Sequence, residues 1–270
     1  NRDRMKLHFY KYQGAGNDFV LIDNRLNEID FTEKNVEYLC NRRFGVGADG
    51  LMLLQKSSIV DFEMLYFNSD GKQASMCGNG GRCIVAFAKH LGIIDNKTLF
   101  EAYDGIHDAE ILKTDDRNNI VKLKMNLSAN IKTCLNGWYV DTGSPHYVEF
   151  VDDIYALDVM QEGRRLRNDT TFAPYGTNVD FVKVKDNNEI EVATYERGVE
   201  DETLSCGTGV TAAALIYTHT KGNNSFVDSI KVKTKGGDFE VFYEKNKVEE
   251  YVNIYLQGTA TMVYEGDIEM

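Results

Sequence analysis

The chain has 270 residues, of which 43% are apolar, and its 42 acidic against 30 basic side chains leave a net charge of -12. That length can build more than one core, and an acidic surface repels phosphate backbones, so nucleic acid is not an expected partner. Apolar runs such as Cys83–Ala88 fall far short of the roughly 20 residues that cross a bilayer, and the first residues lack the apolar stretch of a secretory signal. The expectation is a soluble, cytoplasmic protein with no membrane partner.

In chain order, Leu7–Tyr12 and Asp18–Asp23 read as strands, and Thr32–Phe44 as a helix with Thr32 as its N-cap. Leu51–Gln55 and Phe62–Asn68 are strands, followed by an apolar helix running from Ile84 to a stop near Gly92. Val121–Leu127 and Trp138–Asp141 are strands, Asp153–Arg167 has a helical pattern, and Val179–Lys185 and Glu189–Arg197 are strands again. A second apolar helix runs from Val210 to a stop near Gly222, and Ile230–Lys233, Phe239–Tyr243 and Tyr251–Leu256 close the series. Several strands alternate apolar and polar residues as half-buried antiparallel strands do. The two apolar helices have no polar face over their first turns, which predicts that they are buried.

Those helices belong to an internal repeat. Met76-Cys-Gly-Asn-Gly-Gly aligns with Ser205-Cys-Gly-Thr-Gly-Val at an offset of 129 residues, and in the same register Leu65–Asn68 meets Thr194–Arg197. The Tyr-to-Cys spacing is 11 in both copies. One duplicated unit of strand, loop and buried helix accounts for this. The predicted fold is α/β of the α+β type: two pseudo-symmetric lobes, each a mostly antiparallel sheet around a buried central helix.

Each copy places a cysteine, Cys77 or Cys206, just ahead of a helix and follows it with Gly-x-Gly. A helix N-terminus offers unpaired N–H groups and a partial positive charge, which lower a thiol pKa and can hold a substrate carboxylate. Inversion of a carbon next to a carboxylate needs a base on one face and an acid on the other. One thiolate and one thiol supply both. A single cysteine in a glycine-rich turn is more often a small core residue; two in register across a repeat are not explained that way. Cys40, Cys83 and Cys134 lack such a setting and read as structural.

Other motifs carry less. Gly45-Val-Gly-Ala-Asp-Gly50 matches a dinucleotide fingerprint in letters, but a helix precedes it and a strand follows, the reverse of the required order. No CxxC occurs, and the pair Cys77 and Cys83 has no histidine-rich partner cluster, so no metal is expected. Among the five histidines only His146, in a Gly-Ser-Pro-His turn, sits among polar loop residues.

Taken together, Gly14–Phe19, Gly45–Gly50, Asn68–Gly71, Met76–Gly81, Ser144–His146, Thr177-Asn178, Tyr195–Gly198 and Cys206–Gly209 resemble the motifs of the diaminopimelate epimerase family, in their order and spacing. The resemblance implies a cofactor-independent, two-thiol epimerase interconverting LL- and meso-diaminopimelate for lysine and peptidoglycan synthesis, with the site in the cleft between the lobes. It places the lobes at residues 1–128, joined by 260–270, and at 129–259. Carried over by motif, Cys77 and Cys206 are the catalytic pair, with the amides of Gly78, Asn79, Gly207 and Thr208 on the reacting carboxylate. Glu196 takes the adjacent amino group and, with His146, lies near the thiols. Asn17, Asn68, Asn178 and Arg197 hold the distal end of the substrate. A small-molecule substrate is the expected partner, and a homodimer the expected assembly, although the residues do not fix the oligomeric state.

Three positions depart from the family pattern: Ser144 where Asn is frequent, Gly50 where some members carry Gln, and a loop from Arg197 to Cys206 that is one residue longer and holds Glu200, Asp201 and Glu202. A proline or hydroxyproline racemase would share the cysteine pair but not the distal clamp. A phenazine-biosynthesis-type isomerase would lack the cysteines. A thiol redox module would leave the Asn and Arg set unexplained, and a non-catalytic amino-acid-binding protein would leave the thiols unexplained.

Overall fold

Buried helices need a sheet on every side, and the computed structural model, which describes residues 6–27, 29, 31–127, 129–221, 229–248 and 250–270, builds one around each. The chain divides into two units, Asn1–Leu123 with Thr259–Met270, and Lys124–Gly258. The first holds β1 (Lys6–Gly14), β2 (Asn17–Asp23), α1 (Glu33–Cys40), β3 (Gly50–Gln55), β4 (Phe62–Asn68), β5 (Gln73–Ala74), α2 (Gly78–His90), β6 (Lys97–Ala102), β7 (Gly105–Asp115) and most of β8 (Asn118–Lys124). The second holds β9 (Lys132–Cys134), β10 (Gly137–Asp141), β11 (Pro145–Phe150), α3 (Val159–Arg167), β12 (Asn178–Val184), β13 (Glu189–Glu196), β14 (Asp201–Thr203), α4 (Gly207–Lys221), β15 (Ser229–Thr234) and β16 (Gly237–Lys245). The last strand, β17 (Tyr251–Glu269), begins in the second unit and ends in the first, where it pairs with β1 from Gln13↔Thr261 to Lys6↔Glu269.

The repeat is visible in the pairing. In the first unit β1–β2 is antiparallel, β2–β3 parallel, β3–β4 antiparallel, β4–β6 parallel and β6–β7 antiparallel. The second unit runs through the same sequence with β10–β11, β11–β12, β12–β13, β13–β15 and β15–β16. The mixture of a few parallel pairs in a mainly antiparallel sheet follows from helices crossing between neighbouring strands.

Burial explains which residues took which role. Phe19–Ile22 and Leu51–Leu54 are buried on both faces. Val20, Ile22, Leu51 and Leu53 pack with Val36 and Leu39 of α1, and the alternate residues face α2. In the second unit Val179, Phe181, Ala193 and Tyr195 pack with Val159 and Leu166 of α3, leaving Asn178, Asp180 and Thr194 on the α4 side. In α2 every residue from Gly78 to Ala88 is buried, and in α4 every residue from Gly209 to Thr218.

Some boundaries differ from the sequence expectation. α1 starts after Thr32, whose hydroxyl accepts from Asn35 N–H, but it stops at Cys40 because Asn41 Oδ1 captures the N–H groups of Arg43 and Phe44. α3 starts at Val159 because Asp158 is its cap; Asp153 instead binds Tyr155 N–H in a turn. The expected stop near Gly222 lies outside the described residues. No described helix is long and apolar enough to cross a membrane.

Candidate active site

In the first unit the site grows from the start of α2. Cys77 is the N-cap, with extended backbone and a sulfur that accepts from Gly80 N–H at 3.2 Å. Its carbonyl receives Gly81 N–H at 2.8 Å, the first bond of the helix. A donor aimed at sulfur and the positive helix end both favour an anion there. Gly78 and Asn79 fill the first turn, where N–H groups have no intrahelical acceptor. Arg82, wholly buried one turn later, donates to Gly78 O (3.0 Å), Asn79 Oδ1 (2.8 Å) and Thr259 O (3.3 Å). It therefore ties the cysteine loop to the returning end of the chain. Burial pushes its guanidinium down to about 10, opposed by Cys83 and Cys77.

Asn17 opens β2 opposite Gly14, and Asn68 closes β4 opposite Gly50. The Asn17 Oδ1 is buried with no hydrogen-bond partner among the described residues. Asn68 is exposed, and its N–H binds Lys72 O to close the turn that Gly71 completes at φ +83°. A charge cluster fixes both asparagines. Asp18, next to Asn17, binds Arg42 in a fork at 2.6 and 2.9 Å and Lys11 at 2.9 Å. Asp49 N–H binds Asp18 O, and Ser69 N–H binds Asp49 O. Burial would raise the Asp18 carboxyl, but Arg42 and Lys11 hold it well below the usual carboxylate range. The Gly45–Gly50 loop thus joins α1 to β3 with Lys11 Nζ donating to Gly47 O, and it opens no helix.

In the second unit Cys206 takes the same place before α4, its carbonyl receiving Val210 N–H at 2.8 Å. Its surroundings differ from those of Cys77. Cys206 Sγ lies 3.3 Å from Thr208 Oγ1, which is 2.8 Å from His146 Nε2. His146 Nδ1 lies 2.6 Å from Asp180 Oδ2, and Asp180 Oδ1 accepts from Thr194 Oγ1 at 2.6 Å. His146 and Asp180 are both 0% exposed. Burial would push the imidazole down, but the Asp180 carboxylate, with Cys206 beyond it, holds it protonated up to about 10.

The other candidates in this unit meet through Asn178. Its Nδ2 donates to Ser144 Oγ (3.0 Å) and Pro145 O (2.9 Å), and its Oδ1 accepts from Arg197 N–H (2.8 Å). Asn178 therefore aligns the strands first, and one lone pair of its Oδ1 receives no donor among the described residues. The Arg197 side chain reaches Tyr175 O and Gly176 O and lines a cleft of about 500 Å³ with Tyr139, Pro145 and Tyr175. Neither Cys77 nor Cys206 lines that cleft. Glu196 ends β13, its carbonyl receiving Glu200 N–H. The acidic residues after it are engaged in the scaffold, Glu200 with Arg167 at 2.9 Å and Glu202 with Lys235 at 2.7 Å.

Ser144, which stands where the family frequently has Asn, joins the histidine network: its Oγ is 3.1 Å from His146 Nε2 and 3.3 Å from Thr208 Oγ1. Sequence reasoning overlooked Asp180, Thr194 and Arg82. Each carried a signal, a polar residue at a core-facing position of an apolar strand or helix. The remaining cysteines have little reactivity. Burial pushes Cys40 up to about 12 and Cys83 higher still, and burial with nearby Asp169 raises Cys134. Among the described residues no group of His, Cys, Asp and Glu is placed to hold a metal ion.

Solved structures similar in fold include a phenazine biosynthesis protein of the PhzF family from Bacillus anthracis, at TM-score 0.75 and 15% identity, covering 98% of this chain and 99% of that one. A probable proline racemase from Agrobacterium radiobacter follows at TM-score 0.71 and 15% identity, covering 97% and 92%. At such identities the likeness concerns the fold. Sequence relatives are much nearer. Diaminopimelate epimerase of Flavobacterium psychrophilum is 47% identical over 98% of this chain and 100% of its own length. That of Chlorobaculum tepidum is 41% identical over 95% and 99%. The family model for diaminopimelate epimerase matches residues 9–127 and 138–263, spanning both cysteine motifs. The chain belongs to the diaminopimelate epimerase family.

Proposed function

We propose that this protein interconverts LL- and meso-diaminopimelate by removing the α-proton with one thiolate and donating a second proton from the other thiol to the opposite face of the same carbon. The observation that carries the reading is the repeated placement of a cysteine at the head of a buried helix that opens with Gly-x-Gly. In one direction the thiolate of one unit removes the α-proton, and the electron pair spreads into the adjacent carboxylate. First-turn amides at Gly78-Asn79 and Gly207-Thr208 hydrogen-bond that carboxylate and stabilise the growing charge. The thiol of the other unit returns a proton to the opposite face, so each turnover exchanges the protonation states of Cys77 and Cys206. Every step is supplied by side chains and amides, and the reading includes no cofactor.

At the other end of the substrate, the buried Asn17 Oδ1 is an acceptor that a distal ammonium would satisfy. Asn68 and the last lone pair of Asn178 serve the same end, and the Arg197 fork takes the distal carboxylate. Glu196 takes the ammonium at the reacting carbon. The reading includes a cytoplasmic location and a homodimer. Proton NMR of LL-diaminopimelate in D2O, with chelator present and no cofactor, tests the activity. Loss of the α-proton signal with appearance of the meso isomer is expected. No exchange by protein with reduced thiols would overturn the substrate assignment.

A further inference from the structure

The two cysteines stand in equivalent places in the repeat, but the groups behind them are not equivalent. The second glycine of each motif records the difference. A Cβ on Gly80 would meet the terminal methyl of Met52 and, at 3.2 Å, Cys77 Sγ; a Cβ on Gly209 would press into Asp180 Oδ1 and reach His146 Cε1 at 3.2 Å. Met52 is an apolar core residue, whereas Asp180 is a fully buried carboxylate on the α4-facing side of a strand that otherwise reads Val179, Phe181, Val182. A carboxylate is costly in such a place without compensation, and all of its compensation comes from groups that lead toward Cys206 or hold the acid in place.

The donors and acceptors form one directed chain. Thr194 Oγ1 donates to Asp180 Oδ1, and the other carboxylate oxygen faces His146 Nδ1 at 2.6 Å. With both ring nitrogens protonated, Nε2 donates to Thr208 Oγ1 across 2.8 Å, which turns the Thr208 hydroxyl proton toward Cys206 Sγ at 3.3 Å. Ser144 stands beside the same link, its Oγ accepting from Asn178 Nδ2 and lying 3.1 Å from His146 Nε2 and 3.3 Å from Thr208 Oγ1. Asp180 and Cys206 are the titratable groups that act on the ring. The order of the chain fixes its effect: a carboxylate holds an imidazolium, the imidazolium orients a hydroxyl, and the hydroxyl donates to sulfur.

We infer that Asp180 is a positioning residue for Cys206, acting through His146 and the Thr208 hydroxyl to supply the hydrogen bond that stabilises the Cys206 thiolate. It rests on the reading of Cys206 as an acid–base group. The corresponding cysteine relies on a different device, the backbone N–H of Gly80. Thr208 thus has two tasks, its amide in the first turn and its hydroxyl on the sulfur.

The test measures the alkylation of each cysteine separately. Substrate-free protein is treated with iodoacetamide at pH 7, and modification of the Cys77 and Cys206 peptides is followed by mass spectrometry, so that Cys77 is the internal reference. Asp180→Asn keeps the shape and removes the charge; it should slow alkylation of Cys206 about tenfold, with Cys77 unchanged. Thr208→Val should slow Cys206 similarly, and Thr208→Ser, which restores the hydroxyl, should react as the wild type does. Wild-type Cys206 rates in Asp180→Asn and Thr208→Val would overturn the inference, as would equal slowing of both cysteines. The threonine pair decides alone if Asp180→Asn does not fold. Because alkylation needs no turnover, failure of the relay is distinguishable from failure of the epimerase reading, which would show as full activity in Cys206→Ala.

Discussion

Single residues decide where this protein can tolerate an unsatisfied group. Asn17 Oδ1 is buried without a partner among the described residues, an arrangement that costs stability unless a ligand supplies the donor. Asn17→Leu should therefore raise KM for diaminopimelate about tenfold or more while kcat changes little, and should leave the unfolding midpoint equal or higher. Steady-state kinetics with a urea titration checks both; an unchanged KM would remove Asn17 from the distal clamp. Asn17, Asn68 and Arg197 could be nominated for the distal clamp because they stand in motifs. Asp180 and Arg82 could not, since each is one polar letter inside an apolar run; the buried bonds of Arg82 to Asn79 and of Asp180 to His146 reveal what they hold.

At the scale of elements, the two Gly-x-Gly helix starts look interchangeable in sequence and are not in space. Alanine at position 80 meets the flexible end of Met52, which can swing aside, whereas alanine at position 209 meets the fixed Asp180–His146 pair. Helix propensity favours both changes equally, so packing decides. Gly209→Ala should lose about 2 kcal/mol in urea unfolding and Gly80→Ala less than about 1 kcal/mol. The reverse order would contradict the packing described for the α4 start. Most strands with clean alternation were readable, as were both buried helices. β6 and β7 were missed because Asp, Glu, Lys and His interleave their apolar residues, and only Thr98, Phe100, Ala102, His107, Ala109 and Ile111 turn inward. β11 was read as a turn because it starts at Pro145, a residue allowed at the first position of a strand; that strand, not a loop, carries His146 into the core.

For the whole molecule, the duplicated order of pairings follows from the 129-residue repeat, which was the strongest structural signal in the sequence. The electrostatic difference between the two copies is invisible in the repeat, because it depends on which strand residues face α4. It has a consequence for stability against pH. His146 is raised from an ordinary value of 6.5 to about 10, burial opposing and Asp180 prevailing, so its contribution is fully present below about pH 6.5 and is lost as pH rises through 10. Urea midpoints from pH 6 to 10.5 should fall more steeply for the wild type than for Asp180→Asn; parallel curves would contradict a charged pair. Asp18, held low by Arg42 and Lys11, contributes at the other end, with stability present above about pH 4 and lost below it. In the proposed reaction one cysteine takes the α-proton and the cysteine of the other repeat donates to the opposite face. The most direct measurement is epimerisation of LL-diaminopimelate by Cys77→Ala and by Cys206→Ala, each with circular dichroism matching the wild type. Loss of turnover by at least about a thousandfold in both is the predicted result, since removal of either acid–base partner blocks the step. Wild-type turnover by either variant would contradict the two-thiol mechanism.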